Sequence, residues 1–580
     1  MDETTPRSPL AYARMALTRA IPRRGSWADA AGAILLALVV YGLTRLGTEW
    51  RAPAGSRVEI DLSLGALPLY TFFSLCRGLA AFALSFAFTL VYGYVAARVR
   101  HADKLMLPLL DILQSIPVLG FMPGVVLALA ALFPSSRVGL ELAAIVMIFT
   151  GQVWNMTFSF YHSLRAVPND LLDAGRIYRF GWWRRFRRIE LPYATVGLVW
   201  NGMMSMAGGW FFLTVNEAFR LGDRDFRLPG VGAYMSVAID RGDGTAMVAA
   251  VVAMATMIVV LDQFFWRPLV AWSERFKLED VAAQGGATSW VLDLLRRTRL
   301  YLWVRALSSR LRDRWRGKPR APTEGAPRTV RRAGTAATVL VLGAIGLACA
   351  WATVKLVALL AALPASAWLE IARASALTLL RTTAAVALGT LWTVPVGVYI
   401  GTHPRAAHVL QPVVQVAASF PAPMLFPLVL LALARAHVGL GIGSVALMML
   451  GTQWYILFNV VAGAQSIPEE LHEAARVYRL SRAQRWKRVL LPGVFPSLVT
   501  GWVTAAGGAW NASIVSEYLH VGGAARTTDG LGALISTAAD SADFARLAAG
   551  VLAMAALVVA INRLLWKRLY RLAERRFALG

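Results

Sequence analysis

The sequence repeats itself at an interval of 300 residues. Residues 172–192 read LDAGRIYRFGWWRRFRRIELP and residues 472–492 read HEAARVYRLSRAQRWKRVLLP, an interval of 492 − 192 = 300. Other matched pairs are Trp154/Trp454, Glu217/Glu517 and Gly232/Gly532 at this interval, with Arg77/Arg381 and Pro117/Pro421 at 304. Unrelated apolar segments would not keep tryptophan, glycine and proline in register. The chain therefore contains two copies of one topological unit.

Long apolar segments recur throughout both copies. Hydrophobic residues make up 57% of the chain, and the mean hydropathy is +0.54. A helix of about 20 apolar residues can cross about 30 Å of hydrocarbon. The formal net charge of +26 comes largely from Arg and Lys between these segments, which is typical of cytoplasmic loops rather than of nucleic-acid binding. The two cysteines, Cys76 and Cys349, provide neither a disulfide framework nor a metal site.

Each copy is predicted to contain six membrane spans. The predicted spans are 29–47, 70–97, 105–134, 139–163, 193–217 and 245–266 in the first copy, and 336–363, 371–401, 405–434, 438–463, 494–517 and 545–566 in the second. Because six is even, both copies have the same orientation and form a parallel repeat. We expect both termini in the cytoplasm of a bacterial cell with this protein in its cytoplasmic (inner) membrane, and a retained first helix rather than a cleaved signal peptide.

These spans define five regions of the chain. The predicted regions are a cytoplasmic N-terminal segment 1–28, a first lobe 29–275, a basic cytoplasmic linker 276–335, a second lobe 336–570 and a cytoplasmic tail 571–580. We expect the linker to combine an Arg-rich interfacial helix with a flexible Pro- and Gly-containing stretch. Its charge predicts that it lies in the cytoplasm, in agreement with the even number of spans.

A polar segment follows the fourth span in each copy. Pro168 and Pro468 precede residues suited to a helix N-terminus, and a break follows at Gly181 or Ser481. We expect two short helices that project from the membrane and end at Leu191–Pro192, because proline lacks the donor that continues a helix. An amphipathic segment lying on the inner leaflet would show a similar pattern.

This segment resembles the EAA loop of ABC-importer permeases. The second copy carries Glu-Ala-Ala and, after a gap, Val-Leu-Leu-Pro, whereas the first has the variants Asp-Ala-Gly and Ile-Glu-Leu-Pro. The resemblance implies an all-α polytopic fold of two parallel six-helix type I permease lobes, and loops that couple to ATPase subunits. The implied coupling residues are Asp173, Ala174, Gly175, Arg179, Gly181, Leu191, Pro192, Glu473, Ala474, Ala475, Arg479, Leu491 and Pro492. The family usually has glycine where Arg179 and Arg479 stand.

The chain has no nucleotide-binding motif of its own. The pattern G-x-x-x-x-G-K-[ST], which holds nucleotide phosphates, does not occur, and the 7 histidines are dispersed. We therefore expect no enzyme activity, no cofactor and no metal site in this chain. The resemblance implies two separate ABC ATPase subunits that use ATP and Mg, one at each loop, with membrane lipid as the other contact and no nucleic acid.

Polar residues inside spans are candidates for a solute pathway, because their burial in a membrane is costly. Proline pairs in the third span can also break the helix and expose its backbone. The candidate residues are Ser115, Pro117, Gln152, Trp154, Asn155, Trp210, Glu217, Ser419, Pro421, Gln453, Trp454, Trp510, Asn511 and Glu517. For any single one of these residues, helix packing through small and hydrogen-bonding side chains is the simpler explanation.

Two further elements resemble the nitrate/sulfonate/bicarbonate (taurine-type) branch of importer permeases. They are the Ser-[Ile/Phe]-Pro of the third span and a glutamate followed by Gly-x-Gly at 230–232 and 530–532. The resemblance implies uptake of a small oxyanion or organic sulfonate by alternating access, delivered by a periplasmic or lipoprotein solute-binding protein.

Two alternatives remain open. One is an ion-coupled secondary transporter acting through Glu217, Glu517 or Asp111. We expect no buried charge pairs along the spans, and their absence would argue against such a transporter. The other is a non-transporting or lipid-handling ABC membrane subunit. Association with an ATPase distinguishes the first alternative from an ATP-driven importer.

Overall fold

Helices account for nearly all of the regular structure. The computed structural model describes residues 27–53, 59–221, 224–276, 347, 350–521 and 524–576. The N-terminal segment 1–26, nearly all of the predicted linker and the start of the seventh predicted span lie outside these residues. Within them the chain forms two all-α lobes, which confirms the predicted fold class.

The first lobe runs from residue 27 to residue 276. Its helices are α1 (Trp27–Arg51), α2 (Leu67–Arg98), α3 (Asp103–Ser115), α4 (Val118–Leu132), α5 (Val138–Arg165), α6 (Asn169–Ile177), α7 (Trp182–Arg185), α8 (Leu191–Glu217), α9 (Val231–Arg241), α10 (Gly244–Leu261) and α11 (Arg267–Ser273). A hairpin of β1 (Arg220–Leu221) and β2 (Arg224–Asp225) joins α8 to α9. π-helical turns at Phe186–Glu190 and Asp262–Trp266 and a 3-10 turn at Glu274–Phe276 complete it.

The second lobe repeats this order. Its helices are α12 (Ala350–Ala361), α13 (Ala365–Thr402), α14 (Pro404–Ser419), α15 (Phe426–Arg435), α16 (Leu440–Gln465), α17 (Glu469–Val477), α18 (Arg482–Arg485), α19 (Leu491–Ser516), α20 (Leu531–Asp540), α21 (Phe544–Ile561) and α22 (Lys567–Arg576). The hairpin is β3 (Tyr518–Val521) with β4 (Ala524–Thr527). A 3-10 turn lies at Ala422–Leu425, and π-helical turns lie at Trp486–Leu490 and Asn562–Trp566.

Seven helices among the described residues are long and apolar enough to cross a membrane, or eight if one bent pair forms a single span. The twelve spans expected from the sequence stay a prediction: α1 and α8 are long but are not among these seven, and the other spans are short, broken or partly outside the described residues. The paired loops, residues 168–192 and 468–492, lie at one end of the lobes, called here the loop end. The hairpins and the start of α2 and of α13 lie at the opposite, far end.

The third predicted span is broken in both lobes. In the first lobe α3 ends at Ser115, and α4 starts after Pro117. In the second lobe the two parts meet at an angle of 83° at Phe420–Pro421. Proline has no N–H and restricts the residue before it, so the helix stops there in each copy. The expectation that these prolines break the span is confirmed.

The broken spans connect the two lobes reciprocally. In one direction α4 packs against α19 and α21, and in the other α14 packs against α8 and α10. The hairpins cross as well, since β3 contacts α9 and β1 contacts α20. One hydrophobic core therefore contains residues of both lobes, for example Met206 and Met554.

Candidate functional site

The paired loops each present a short exposed helix at the loop end. In α6 and α17 the acidic residue of the motif is exposed and pairs with the next turn, Asp173 with Arg176 at 2.7 Å and Glu473 with Arg476 at 3.8 Å. An apolar pair ends each helix: Ile177 is 79% exposed and Tyr178 73%, and Val477 and Tyr478 are equally exposed. Two large apolar side chains at the same place in both copies form a surface suited to a partner protein.

Arg179 and Arg479 follow these helices with a left-handed backbone. Their φ angles are +49° and +48°. A side chain in this region is strained by about 1 kcal/mol because Cβ approaches the backbone carbonyl. Glycine has no such penalty, which gives a physical reason for the glycine usual in the family. Both loops turn in the same way at this position.

The residue buried in each loop differs in size between the lobes. Ala475 is 5% exposed. A Cβ at Gly175 would lie 2.9 Å from Cδ1 of Ile189. The counterpart of Ile189 in the second loop is Val489, which is one methylene smaller. In the first loop the smaller residue, Gly175, packs against the larger Ile189. In the second loop the larger Ala475 is matched with the smaller Val489, so the two pairs have a similar total side-chain volume.

The second short helix of each loop continues into the fifth span, contrary to our expectation that it ends at Leu191–Pro192. A π-helical turn precedes Pro192, and the N–H of Leu191 donates to the oxygen of Phe186, five residues back. The second loop repeats this turn with Leu491 and Trp486. The wider turn shifts the hydrogen-bond ladder just before the proline, so the missing donor falls in the first turn of α8 or α19, where it is tolerated.

Different contacts hold the two loops in place. In the first lobe the carboxylate of Glu190 is fully buried and lies 3.0 Å from Arg98 and 3.1 Å from Arg185. Leu490 replaces it in the second lobe and is packed in an apolar cluster. The second loop instead has a capping box in which Ser481 and Gln484 bond reciprocally. Gly181 offers no side chain for such a cap.

A cavity of about 230 Å³ lies between the lobes. Its lining in α8 runs from Met204, in the middle of the helix, to Phe212, and in α19 from Val503 to Ala512. A second cavity of about 250 Å³ begins where this one stops, with Thr214 in α8 and Ile514 in α19, and extends toward the far end.

Half of the residues predicted for the solute pathway line the central cavity. They are Pro117, Trp154, Asn155, Pro421, Trp454, Trp510 and Asn511. Of the others, Gln152 bonds Ser85 and Met206, Gln453 accepts from Trp392, and Ser419 donates to the oxygen of Gln415. Trp210 is 2% exposed, and Ser115 ends α3. These contacts are those of helix packing.

Asn511 links the lobes at the boundary between the two cavities. Its side-chain oxygen accepts a hydrogen bond of 2.8 Å from the N–H of Val118, the first residue of α4. The counterpart of Asn511 in the first lobe is Phe211 (511 − 300), which also lines the cavity. The cavity is therefore chemically asymmetric although the backbone is repeated.

Glu217 and Glu517 do not line the central cavity but each organises a buried cluster at the far end. Glu217 accepts from the hydroxyl of Ser74 at 2.7 Å, from Arg77 at 2.6 Å and from the N–H of Gly232 at 2.8 Å. Arg77 also binds both oxygens of Glu141, at 2.6 and 2.7 Å. Each of these glutamates is at most 1% exposed.

The second lobe forms the same cluster with one carboxylate fewer. Glu517 accepts from Thr378, from Arg381 at 2.9 Å and from the N–H of Gly532 at 2.8 Å. Where the first lobe has Glu141, the second has Gly441, whose backbone oxygen accepts from Arg381 at 3.1 Å. We name the two arrangements the glutamate clusters.

The clusters explain the glycines that follow each glutamate. A Cβ at Gly230 would collide with the Glu217 carboxylate, and a Cβ at Gly232 would collide with the backbone oxygen of Thr214. The carboxylate also lies at the N-terminus of α9, where negative charge is stabilised by the helix dipole and by free N–H groups. The Glu and Gly-x-Gly pattern thus builds a helix N-terminus against the end of α8.

The expected absence of buried charge pairs along the spans is wrong. The pairs Arg77–Glu141 and Arg77–Glu217 are both almost fully buried. Sequence reasoning missed Glu141, because its counterpart is glycine and the repeat therefore gave no signal. It also missed Tyr455 and Phe212, which line the cavity; the aromatic residues next to Trp454 and Trp210 could have indicated them.

Two repeated helical lobes around a central cavity, joined through broken spans and bearing paired exposed loops, define a multi-span membrane permease. The chain belongs to the family described as binding-protein-dependent transport system inner membrane component, which matches residues 89–265 and 393–579, more than half of its length. The resemblance found in the sequence is thereby confirmed, and the double match indicates a double-length permease.

Curated relatives cover parts of the chain. The nitrate import permease protein NrtB of Leptolyngbya laminosa is 30% identical over 129 residues, 22% of this chain and 45% of the relative. The bicarbonate transport system permease protein CmpB of Synechococcus elongatus is 26% identical over 129 residues, 22% and 45% of the respective chains. The taurine transport system permease protein TauC of Escherichia coli is 28% identical over 177 residues, 30% and 59%. The chain thus spans about half the length of these relatives.

Proposed function

We propose that this chain is the membrane-spanning subunit of an ATP-driven importer and that it moves a small solute by alternating access. The observation that carries the proposal is the pair of equivalent exposed helices α6 and α17, each ending in an apolar pair, in a member of this permease family. Two separate ATPase subunits bind these loops, one each, and use ATP and Mg. This chain contributes no catalytic residue.

The solute is proposed to be a small oxyanion or an organic sulfonate. The relatives are named for nitrate, bicarbonate and taurine. None of the described residues that line the central cavity is Asp, Glu, Lys, Arg or His. The N-terminus of α4 meets this cavity at Val118, and although the N–H of Val118 is taken by Asn511, the dipole of the helix still favours an anion there. A neutral site of this kind holds an anion weakly enough to release it.

Rocking of the lobes would connect the two cavities alternately. In this proposal the loop end faces the cytoplasm, as do both termini and the basic linker 276–335, and the far end faces a periplasmic or lipoprotein solute-binding protein. ATP binding would draw the paired loops together and open the far end. The barrier that opens would then lie where the two cavities adjoin, between Phe212 and Thr214 in α8 and between Ala512 and Ile514 in α19.

Co-purification and reconstitution test the proposal. We expect the chain to bind two ATPase subunits and, with them and a binding protein in liposomes, to take up nitrate, bicarbonate or taurine only when ATP is supplied inside with the ATPases. Replacing Glu473, Ala474 and Ala475 by bulky residues should reduce ATPase association while membrane insertion persists. Unchanged association would exclude the docking role of the loop.

An ion-coupled secondary transporter is the competing function. Membership of the permease family does not favour it, and the buried glutamates have structural partners on all sides. Proton-driven uptake by the chain alone, without ATPase subunits, would establish this alternative and refute the importer.

A further inference from the structure

At the far end, the two lobes differ in a groove between the start of the second span and the helix that follows the hairpin. In the first lobe this groove is filled by the chain's own segment 59–63, which precedes α2. Ile60 of this segment is 4% exposed and belongs to the core, and Leu62 packs against it. The segment is thus part of the first lobe's packing.

Two tyrosines hold this segment by its backbone. Tyr234 on α9 donates to the oxygen of Leu62 at 2.8 Å, and Tyr70 on α2 accepts from the N–H of Asp61 at 3.2 Å. Their rings lie 6.3 Å apart. Beneath the segment Tyr234 is fully buried, and Val237 on the next turn is 7% exposed.

In the second lobe no described residue fills the equivalent groove. A cavity of about 400 Å³ lies between the start of α13 and α20. Ala374 and Leu534 replace the two tyrosines, so the lobe lacks both rings that held the segment. Thr537, the counterpart of the buried Val237, is exposed. We name this space the far-end groove.

The second lobe's own chain does not fill the far-end groove from the same direction. In the first lobe 15 residues, 52–66, join α1 to α2. In the second lobe only 3 residues, 362–364, join α12 to α13, and they form a turn directly before Ala365. A connection of three residues spans at most about 10 Å and cannot lie across the groove as segment 59–63 does.

The rim of the far-end groove carries charges of both signs. Arg373 lies 3.5 Å from Asp529, and Arg546 lies 3.7 Å from Glu370. These four side chains are about half or more exposed, and such pairs exchange partners at little cost. A lipid tail in the groove would desolvate them without compensation, whereas a peptide offers hydrogen bonds and counter-charges.

We propose that the far-end groove binds an extended segment of the solute-binding protein, as the first lobe binds its own segment 59–63. An aliphatic side chain of the partner enters between Ala374, Leu534 and Thr537, and polar groups on either side meet the charged rim. This inference rests on the proposed function, because that function requires a binding protein at the far end. The binding protein would thus contact the two lobes differently, and its extended segment would bind only the second lobe.

A filled groove tests the proposal in the complete complex of permease and ATPases in lipid nanodiscs. Thr537→Trp and Ser541→Trp each place a ring in the groove, and Arg241→Trp is the matched control, since Arg241 is the exposed first-lobe counterpart of Ser541. The measurements are binding of the solute-binding protein of the same transport system, its stimulation of ATP hydrolysis, and hydrolysis without it.

We expect both groove variants to weaken binding about tenfold or more, the loss that follows when a buried anchor is blocked. Hydrolysis without the binding protein should stay at the level of the unchanged protein, and Arg241→Trp should bind normally. A photo-crosslinker at position 537 should attach to the binding protein. Normal binding by both groove variants, or crosslinks only to lipid or to this chain, would overturn the proposal. ATP-driven uptake that persists in that case would leave the proposed function intact.

Discussion

The two glutamate clusters differ by one carboxylate, and this difference predicts unequal effects of the same substitution. In the first lobe Arg77 has two glutamate partners, and in the second Arg381 has one, Glu517. Glu217→Gln and Glu517→Gln remove one negative charge at equivalent positions. After the first change Arg77 keeps its bidentate pair with Glu141, but after the second Arg381 has no carboxylate within its cluster.

The magnitudes follow from burial. The side chain of Arg381 is only 12% exposed, and its remaining partners are the hydroxyl of Thr528 and the backbone oxygens of Gly441 and Asp529. Leaving a buried guanidinium without its carboxylate costs about 3–5 kcal/mol. Glu217→Gln instead weakens charge-assisted hydrogen bonds of a guanidinium that stays paired, and we expect a cost of about 1–2 kcal/mol.

Unfolding in detergent, followed by tryptophan fluorescence, measures both costs. The second lobe also offers a rescue, because a Cβ at Gly441 would lie 3.7 Å from Nη2 of Arg381 and 3.4 Å from the hydroxyl of Thr528. Gly441→Glu should therefore recover much of the loss in Glu517→Gln by rebuilding the pair that Glu141 makes in the first lobe. Equal losses for the two single variants, or no recovery in the double variant, would refute the reasoning.

Three further predictions concern the paired loops. Arg179→Gly and Arg479→Gly relieve left-handed strain and should each stabilise their loop by about 0.5–1 kcal/mol, seen as slower hydrogen exchange; faster exchange would contradict this. Gly175→Ala should cost about 1 kcal/mol by pressing on Ile189, and adding Ile189→Val should restore thermal stability, whereas two additive losses would argue against that contact. Partial burial and the nearby Arg485 lower the pKa of His472 below its ordinary value, so the folded loop loses stability as pH falls below that ordinary value of about 6.5. Exchange in the second loop should therefore quicken in acid, and His472→Leu should remove that dependence.

Much of the architecture could be predicted from short-range patterns. The paired loops follow from Glu473 and its repeat, and the broken spans follow from Pro117 and Pro421, because proline removes a backbone donor from its own helix. The same rule applied to Pro192 predicted the end of the loops wrongly. A π-helical turn adapts the ladder to the proline, and such a turn has no signature in residue type alone.

The sequence by itself determined that the chain crosses a membrane, that it consists of two equivalent halves and that each half bears an exposed loop. Tertiary structure alone decided which polar residues pair with one another and which face the cavity. Arg77 meets Glu217 across 140 residues, and Asn511 caps α4 across 393. Periodicity places a side chain on a face of its own helix, but its partner depends on how helices from distant parts of the chain pack. For this reason the repeat predicted Glu217 and Glu517 as a matched pair, while only the packing revealed that Glu141 makes their clusters unequal.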